Sequence, residues 1–418
     1  MKTTLLTLFS FLFLLNANSQ ETKGIFGNEN WLQNWTNFKP SNTDYKTPNV
    51  ILSGKINQNT TLYKKNTYLL VGTVYVTNNA VLTIEPGTTI RGDFKSCGTL
   101  VIAKDSKIIA NGVETDPIVF TSNKEISNRK SGDWGGIIIL GNAPINKFGN
   151  TANLDFNLDL VLGSYGGLQE KSDSGILKYI RIEYSGRKLN ATRELNGLSL
   201  AGVGNKTKLE FIQISYSNDD SFECYGGNVI LNNLISYKAT DDDFDFTQGT
   251  QCIINNSLAI RYPYFSDINK SRCFEIDSYD KIENMDFTKK FTKITATNIT
   301  LVNNEENDQN LVREAIFIKD NSFFSFIDGV ICGFNAAIVI NEGTQNKKYE
   351  NLELKNNYIA DCKNNILNEN NISIPEFEAI MKNNKTIKIK NIELFNQYNP
   401  KTNPDFRLKQ NINFAFGL

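Results

Sequence analysis

Two stretches of the chain, SNDDSFECYGG at 217–227 and ATDDDFDFTQG at 239–249, present carboxylates in the same order 22 residues apart. Asp219, Asp220 and Glu223 of the first overlie Asp241, Asp242 and Asp245 of the second, Asp243 adds a further acid, and CFEID at 273–277 offers Glu275 as a third member. Glu223 is bracketed by Phe222 and Cys224, and Asp245 by Phe244 and Phe246. In a strand, alternation sends the bracketed residue away from an apolar core. Parallel neighbours lie about 4.8 Å apart, so three carboxylates stacked at that spacing repel one another unless a cation or a basic side chain compensates. An oxygen-rich cluster of this kind suits calcium, which takes six to eight oxygen ligands in irregular geometry. The competing reading is that Asp and Asn are ordinary turn residues and the column is a solvated face.

Other chemistry is narrower. The chain has no histidine, which excludes imidazole-based hydrolysis and histidine-ligated zinc. A calcium-dependent lyase needs a basic proton acceptor, and Arg261 and Arg272 flank the third acidic run. Trp134, in GDWGG at 132–136, is a candidate ligand-binding ring for a sugar, set against the reading that its glycines mark a tight corner. The GxG in AGVG at 201–204 is followed by no helix signal, so a dinucleotide site is unsupported.

The elements that must position these residues are repeats. LEFIQISYSNDDSFECYGG (209–227) lies over LNNLISYKATDDDFDFTQG (231–249) without a gap, LKYIRIEYS (177–185) returns as LEFIQISYS (209–217), and VLTIEPGTTI (81–90) returns as TLVIAKDSKI (99–108). Within each unit, short alternating apolar runs are separated by Gly, Asn and Asp, the pattern of strands and turns. Repetition at this period predicts an all-β solenoid, a right-handed parallel β-helix over 66–340 whose regular coils of about 22 residues bury their inward side chains only by stacking. Asn233, Asn256, Asn298 and Asn357 fall at comparable turns, where stacked asparagines can bond up and down the solenoid. Residues 20–65, with Trp31 and Trp35, read as an N-terminal cap over the first coil, and 341–418 as degenerate coils and a C-terminal cap with a short helix within 372–383.

Lys2, the apolar run from Leu5 to Leu15 and the polar ANSQ that follows, with Ala17 and Ser19 as the small residues before a cut, form a secretory signal peptide over 1–19. The expected location is therefore outside the cytoplasm: extracellular, cell surface or periplasm. The formal charge of −1 gives no electrostatic bias toward nucleic acid or acidic membranes, and no second long apolar run suggests a membrane span in the mature chain. Six cysteines are too sparse for a disulfide-stapled mini-fold, and Cys332 and Cys362, 30 residues apart, are the pair expected to approach each other in adjacent coils.

The phrases YLLVGTVYVTNNAVLTIEPGTTIRGD, PIVFTSN, GDWGGIIILGNAPIN, SGILKYIRIEYSG, ELNGLSLAGVG and SNDDSFECYGG, with WLQNWTNFKP before them, resemble a large family of exported β-helix proteins of Bacteroidetes-type bacteria. The resemblance covers about 60–275 and implies the same fold and export, in a family without an established activity. The expected function is a scaffold binding a polysaccharide or another cell-surface component, with calcium at the acidic column. The alternative is a calcium-dependent polysaccharide lyase or other carbohydrate-active enzyme.

Overall fold

The computed structural model describes residues 22–410 and 412, apart from 267–270, 280, 306–310, 320, 342–349 and 374. The signal peptide expected at 1–19 lies outside these residues. Short runs rich in Val, Ile, Phe and Leu form strands that pair in parallel with the coil before and the coil after, and among the described residues 28 strands join into one continuous network. The fold is a parallel β-helix with three ladders. One runs through Leu198–Ala201, Phe222–Tyr225, Phe244–Thr247, Phe274–Ile276, Glu314–Ile318 and Ala336–Ile340. A second passes through Lys208–Ser215, Asn228–Tyr237, Gln251–Asn255 and Lys293–Thr297, and the third through Leu258–Arg261, Thr300–Asn303, Val330–Cys332 and Tyr358–Ala360.

Inward residues of all three ladders form one apolar column. Phe222, Phe244 and Phe274 stack along it with ring centroids 5.3 and 5.0 Å apart. Such pairs add about 0.5–1.5 kcal/mol each beyond their burial. They also hold the register of the ladder whose outward face carries the acids.

The solenoid is longer than 66–340. Val50–Ile56 and Thr60–Leu62 already pair in parallel with Thr67–Val76 and Val81–Ile84, and Leu352–Lys355, Tyr358–Ala360 and Asn364–Asn368 complete a further coil. A helix forms at Pro375–Met381, inside the stretch expected to hold one, and an antiparallel pair, Phe395–Gln397 with Asp405–Leu408, follows.

The segment before Val50 is not a lid over the first coil. It runs along a flank, against the order of the coils. Gly24 N donates to Asp328 O at 2.7 Å, Ile25 N to Thr300 Oγ1 at 2.9 Å, Phe26 N to Asn256 Oδ1 at 2.9 Å and Asn37 N to Gln213 Oε1 at 2.7 Å. Arg129 Nη1 then reaches Thr43 O at 2.8 Å, and Arg91 Nη1 reaches Tyr45 O at 3.2 Å. The cause is a second apolar surface outside the solenoid, built from Ile235, Tyr237, Leu258, Ile260, Val302 and Val330, which Ile25, Leu32, Trp35 and Phe38 cover. Trp31 and Trp35 stack on each other and meet Tyr179 and Phe211 edge-on, so they are packing residues of this flank.

The asparagine turns have a related use. Asn233, Asn256, Asn298 and Asn356 adopt positive φ, which asparagine tolerates better than most residues, and the last of these is one residue earlier than the expected Asn357. Asn256 and Asn298 donate from their side chains to Phe26 O and Thr22 O, whereas Asn357 bonds along the solenoid as expected, its amide accepting Gly329 N at 2.6 Å and donating to Phe326 O at 2.7 Å and to Asn384 Oδ1 at 2.8 Å. All six cysteines are free; Cys332 and Cys362 sit in adjacent coils but face different apolar clusters, so they form no bridge.

Candidate functional site

Glu223 pairs in register with Asp245, and Asp245 with Glu275, so the three carboxylates stand on consecutive coils of one ladder. Phe222, Cys224, Phe244 and Phe246 point into the core on either side of them. The ladder continues with Ser199 on one side and Phe317 on the other, which limits the acidic column to three residues.

The turns leading into these strands bring Asp219, Asp220, Asp241 and Asp242 to the same place. Asp220 and Asp242 are fastened by the coil beyond them: Asp220 Oδ1 accepts Asp242 N at 2.9 Å, and Asp242 Oδ1 accepts Arg272 N at 2.5 Å. The seven acids floor a cleft of about 470 Å³ whose wall is supplied by Asp155 and Phe156 from one loop and Thr192, Arg193 and Glu194 from another. The wall residues and Asn196 lie in none of the repeats; Asn196 hydrogen-bonds Glu223, as does Tyr225, which overlies Thr247 of the next repeat. Lys319, which pairs with Glu275, comes from a coil more than 40 residues further on.

Three sets of carboxylate oxygens lie within 4.8 Å of one another: Asp219, Asp220 and Asp241; Asp220, Glu223 and Asp245; Asp242, Asp245 and Glu275. Asp220 and Asp245 each belong to two sets, so the sets form one continuous cluster. Asp245 Oδ1 is buried and has no hydrogen-bond partner.

The electrostatics differ between the two ends. Burial, reinforced by neighbouring carboxylates, pushes Asp219, Asp220, Asp242 and Asp245 well above the usual carboxylate range. Glu223 is pushed up to about 7, chiefly by burial, despite hydrogen bonds from Tyr225 and Asn196 that favour its charge. Glu275 goes the other way. Burial would raise it, but Arg272 and Lys319 together outweigh burial and keep it ionised below its ordinary range. Cationic compensation therefore ionises Glu275, and the uncompensated carboxyls of the rest of the cluster hold their protons unless a cation replaces them.

Two expected site residues are elsewhere. Asp243 does not face the cleft: it is fully buried on the other side of its strand's entry, 3.1 Å from Arg261 Nη1 and accepting the Ser236 hydroxyl. Asp243 precedes the strand that begins at Phe244, so strand alternation does not govern it, and the turn carries it against Arg261 and Ser236. Trp134 is also fully buried, stacked on Phe120 at 6.4 Å with Nε1 donating to Glu183 O at 2.8 Å, so no sugar can reach its face. The adjoining glycine explains the motif: Gly136 has φ +99°, and a Cβ there would lie 2.1 Å from Asn196 O. Arg261 is likewise sealed in its pair with Asp243 and is absent from the cleft.

A family model described as a pectate-lyase-like β-helix domain matches residues 54–404. The chain belongs to that family. The match covers the solenoid from its first strand to the C-terminal hairpin, and the acidic cleft lies at the middle of this pectate-lyase-like domain. No curated protein matches the chain. Among solved structures, it is similar to the catalytic domain of a GH87 alpha-1,3-glucanase in complex with nigerose, at 11% identity and a TM-score of 0.31. The alignment covers 82% of this chain and 63% of that one, so the chain spans less than two thirds of the glucanase domain.

Proposed function

We propose that this pectate-lyase-like β-helix is an exported carbohydrate-binding protein whose acidic cleft holds calcium and, through it, an acidic polysaccharide. The observation that carries this reading is the unpartnered, buried Asp245 Oδ1 at the junction of two carboxylate sets. A buried carboxylate oxygen without a donor is costly, and a cation at that point would satisfy it. Oxygens on opposite sides of a calcium ion with bonds of about 2.4 Å are about 4.8 Å apart, the span within which each set lies. Three or four protein carboxylates leave coordination positions for the carboxylates of a uronate polymer, and Arg193 at the cleft wall supplies a second, guanidinium contact for them. The family description, by likeness to pectate lyases, points to the same ligand class.

The binding reading is preferred to the lyase because of what the bases are doing. Arg272 is committed to Glu275 and to Glu314, 2.9 Å from its Nε, and these acids hold it charged more firmly than a free arginine. Lys319 is similarly tied to Glu275 and Asp277. A proton acceptor must be neutral before it acts, and neither is poised to be. Arg193, paired at its rim with Asp155 at 2.6 Å, is the other basic residue lining the cleft among those described.

Titration calorimetry with calcium, and then with polygalacturonate in calcium and in chelator, tests the reading. Calcium-dependent binding of the polymer is expected, lost in the Glu223→Gln/Asp245→Asn double variant. Binding indifferent to calcium would reject the site. Release of ultraviolet-absorbing unsaturated ends would replace the binding role with lyase chemistry.

A further inference from the structure

A second cleft, of about 620 Å³, opens on the far part of the solenoid, between the turns that follow Thr300–Asn303 and Val330–Cys332 and the short helix Asn391–Leu394. Besides Asn365, four asparagines line it: Asn303, Asn304, Asn335 and Asn391. In each, one amide atom is buried without a partner, namely Oδ1 of Asn303, Asn304 and Asn391 and Nδ2 of Asn335. Asn303 is 2% exposed and Asn335 9%.

Two of the amides are held in orientation by what they already bond. Asn303 Nδ2 donates to Gly333 O at 2.9 Å and Asn391 Nδ2 to Asn303 O at 2.9 Å. A backbone carbonyl only accepts, so these amides cannot be flipped without losing both bonds. Asn304 Nδ2 meets the Tyr262 hydroxyl at 2.8 Å. Two acceptors are thus unused at this cleft, and Asn304 and Asn335 each leave one further amide atom unmet. Each orphaned group costs about 1–3 kcal/mol when nothing meets it, and the cavity has the size of small-molecule sites, roughly 300–1,000 Å³.

We propose that this cleft is a binding site for a neutral oligosaccharide. Hydroxyls both donate and accept, so a run of them satisfies the four unmet amide atoms together, whichever way Asn304 and Asn335 are turned. The half-buried Tyr398 provides apolar surface for the C–H face of a sugar ring. Charge does not select an ion here: Glu305 and Asp361 are set against Lys363, Lys388 and Lys390 around the rim, in contrast to the one-sided acidic cleft. The site shares no lining residue with that cleft, so it stands whether or not calcium binds there.

The test uses the full chain in chelator, which silences any calcium-dependent site, with cellohexaose, laminarihexaose, maltohexaose, xylohexaose and mannohexaose as probes in titration calorimetry. At least one is expected to bind, with Asn335→Ala and Asn391→Ala each weakening it about tenfold, the loss of one hydrogen bond. Asp245→Asn is expected to leave that binding unchanged. Asn335→Leu, which keeps the size and removes the amide's hydrogen bonds, reads the same contact if an alanine variant fails to fold. No binding by any of the five, or binding that the asparagine variants do not alter, would show that the cleft holds water only and overturn the proposal. Calcium-induced melting shifts are read separately and do not depend on the outcome.

Discussion

Without calcium, the protein should become less stable as pH rises from about 4.5 to about 7, and the carboxylate cluster sets the size of the effect. Glu223 goes from an ordinary value of 4.5 to about 7 on folding. Its folded form therefore holds a proton that the unfolded form has already released, so stability is intact below the lower value and falls as pH climbs toward the higher one. For this one group the loss is about 3 kcal/mol. Asp219, Asp220, Asp242 and Asp245 shift in the same direction and add to it. Glu275 has the opposite sign, but its contribution changes only below the ordinary carboxylate range, outside the window. With no histidine in the chain, no imidazole titration overlays the profile. Urea denaturation in chelator, repeated across this range, measures the slope. Calcium at about 100 times its dissociation constant should restore about 2.7 kcal/mol near neutral pH. Glu223→Gln should flatten the chelated profile by the share calculated for it. A chelated stability that is level or rises across the window would refute the assignment of raised carboxyls to this cluster.

Three further outcomes follow from the packing. Trp134→Ala should cost about 3–5 kcal/mol in urea denaturation and leave polygalacturonate affinity unchanged, since the ring fills the core and touches no ligand. Arg261→Ala should cost about 3–5 kcal/mol by stranding the buried Asp243 carboxylate, with calcium affinity unaltered by calorimetry; a parallel loss of calcium would place Asp243 in the metal cluster after all. Reducing agent should not move the melting temperature, because every cysteine is a free thiol.

The fold and the acidic column are legible in the chain because both rest on period. Phe222-Glu-Cys224 and Phe244-Asp-Phe246 recur 22 residues apart with two apolar residues on the inner face and one acid on the outer, the pattern of strands paired in register. Asp243 is where the pattern misleads. It sits beside Asp242 in an unbroken acidic run, yet its repeat partner is Ser221, itself fully buried, and that alignment is the signal that it faces inward. The cleft wall could not be read, because Phe156 and Arg193 come from inserted loops whose path is set by tertiary contacts. Trp134 among glycines is ambiguous until the closeness of Asn196 O to Gly136 shows why no side chain fits beside it.

The flank segment alters how the solenoid can come apart. In a stack where each coil touches only its neighbours, the end coils fray without consulting the middle, and cooperativity decays with distance. Here one strip of chain bonds to coils at Asp328, Thr300, Asn256 and Gln213 and then to Arg129 and Arg91. Opening the C-terminal coils must strip this strip from the flank, and the energy of that peeling is shared with coils far upstream. The strip can dock only after the distant coils exist, so it closes the longest loops in the chain last, and it converts a ladder of local equilibria into a unit whose two ends unfold together.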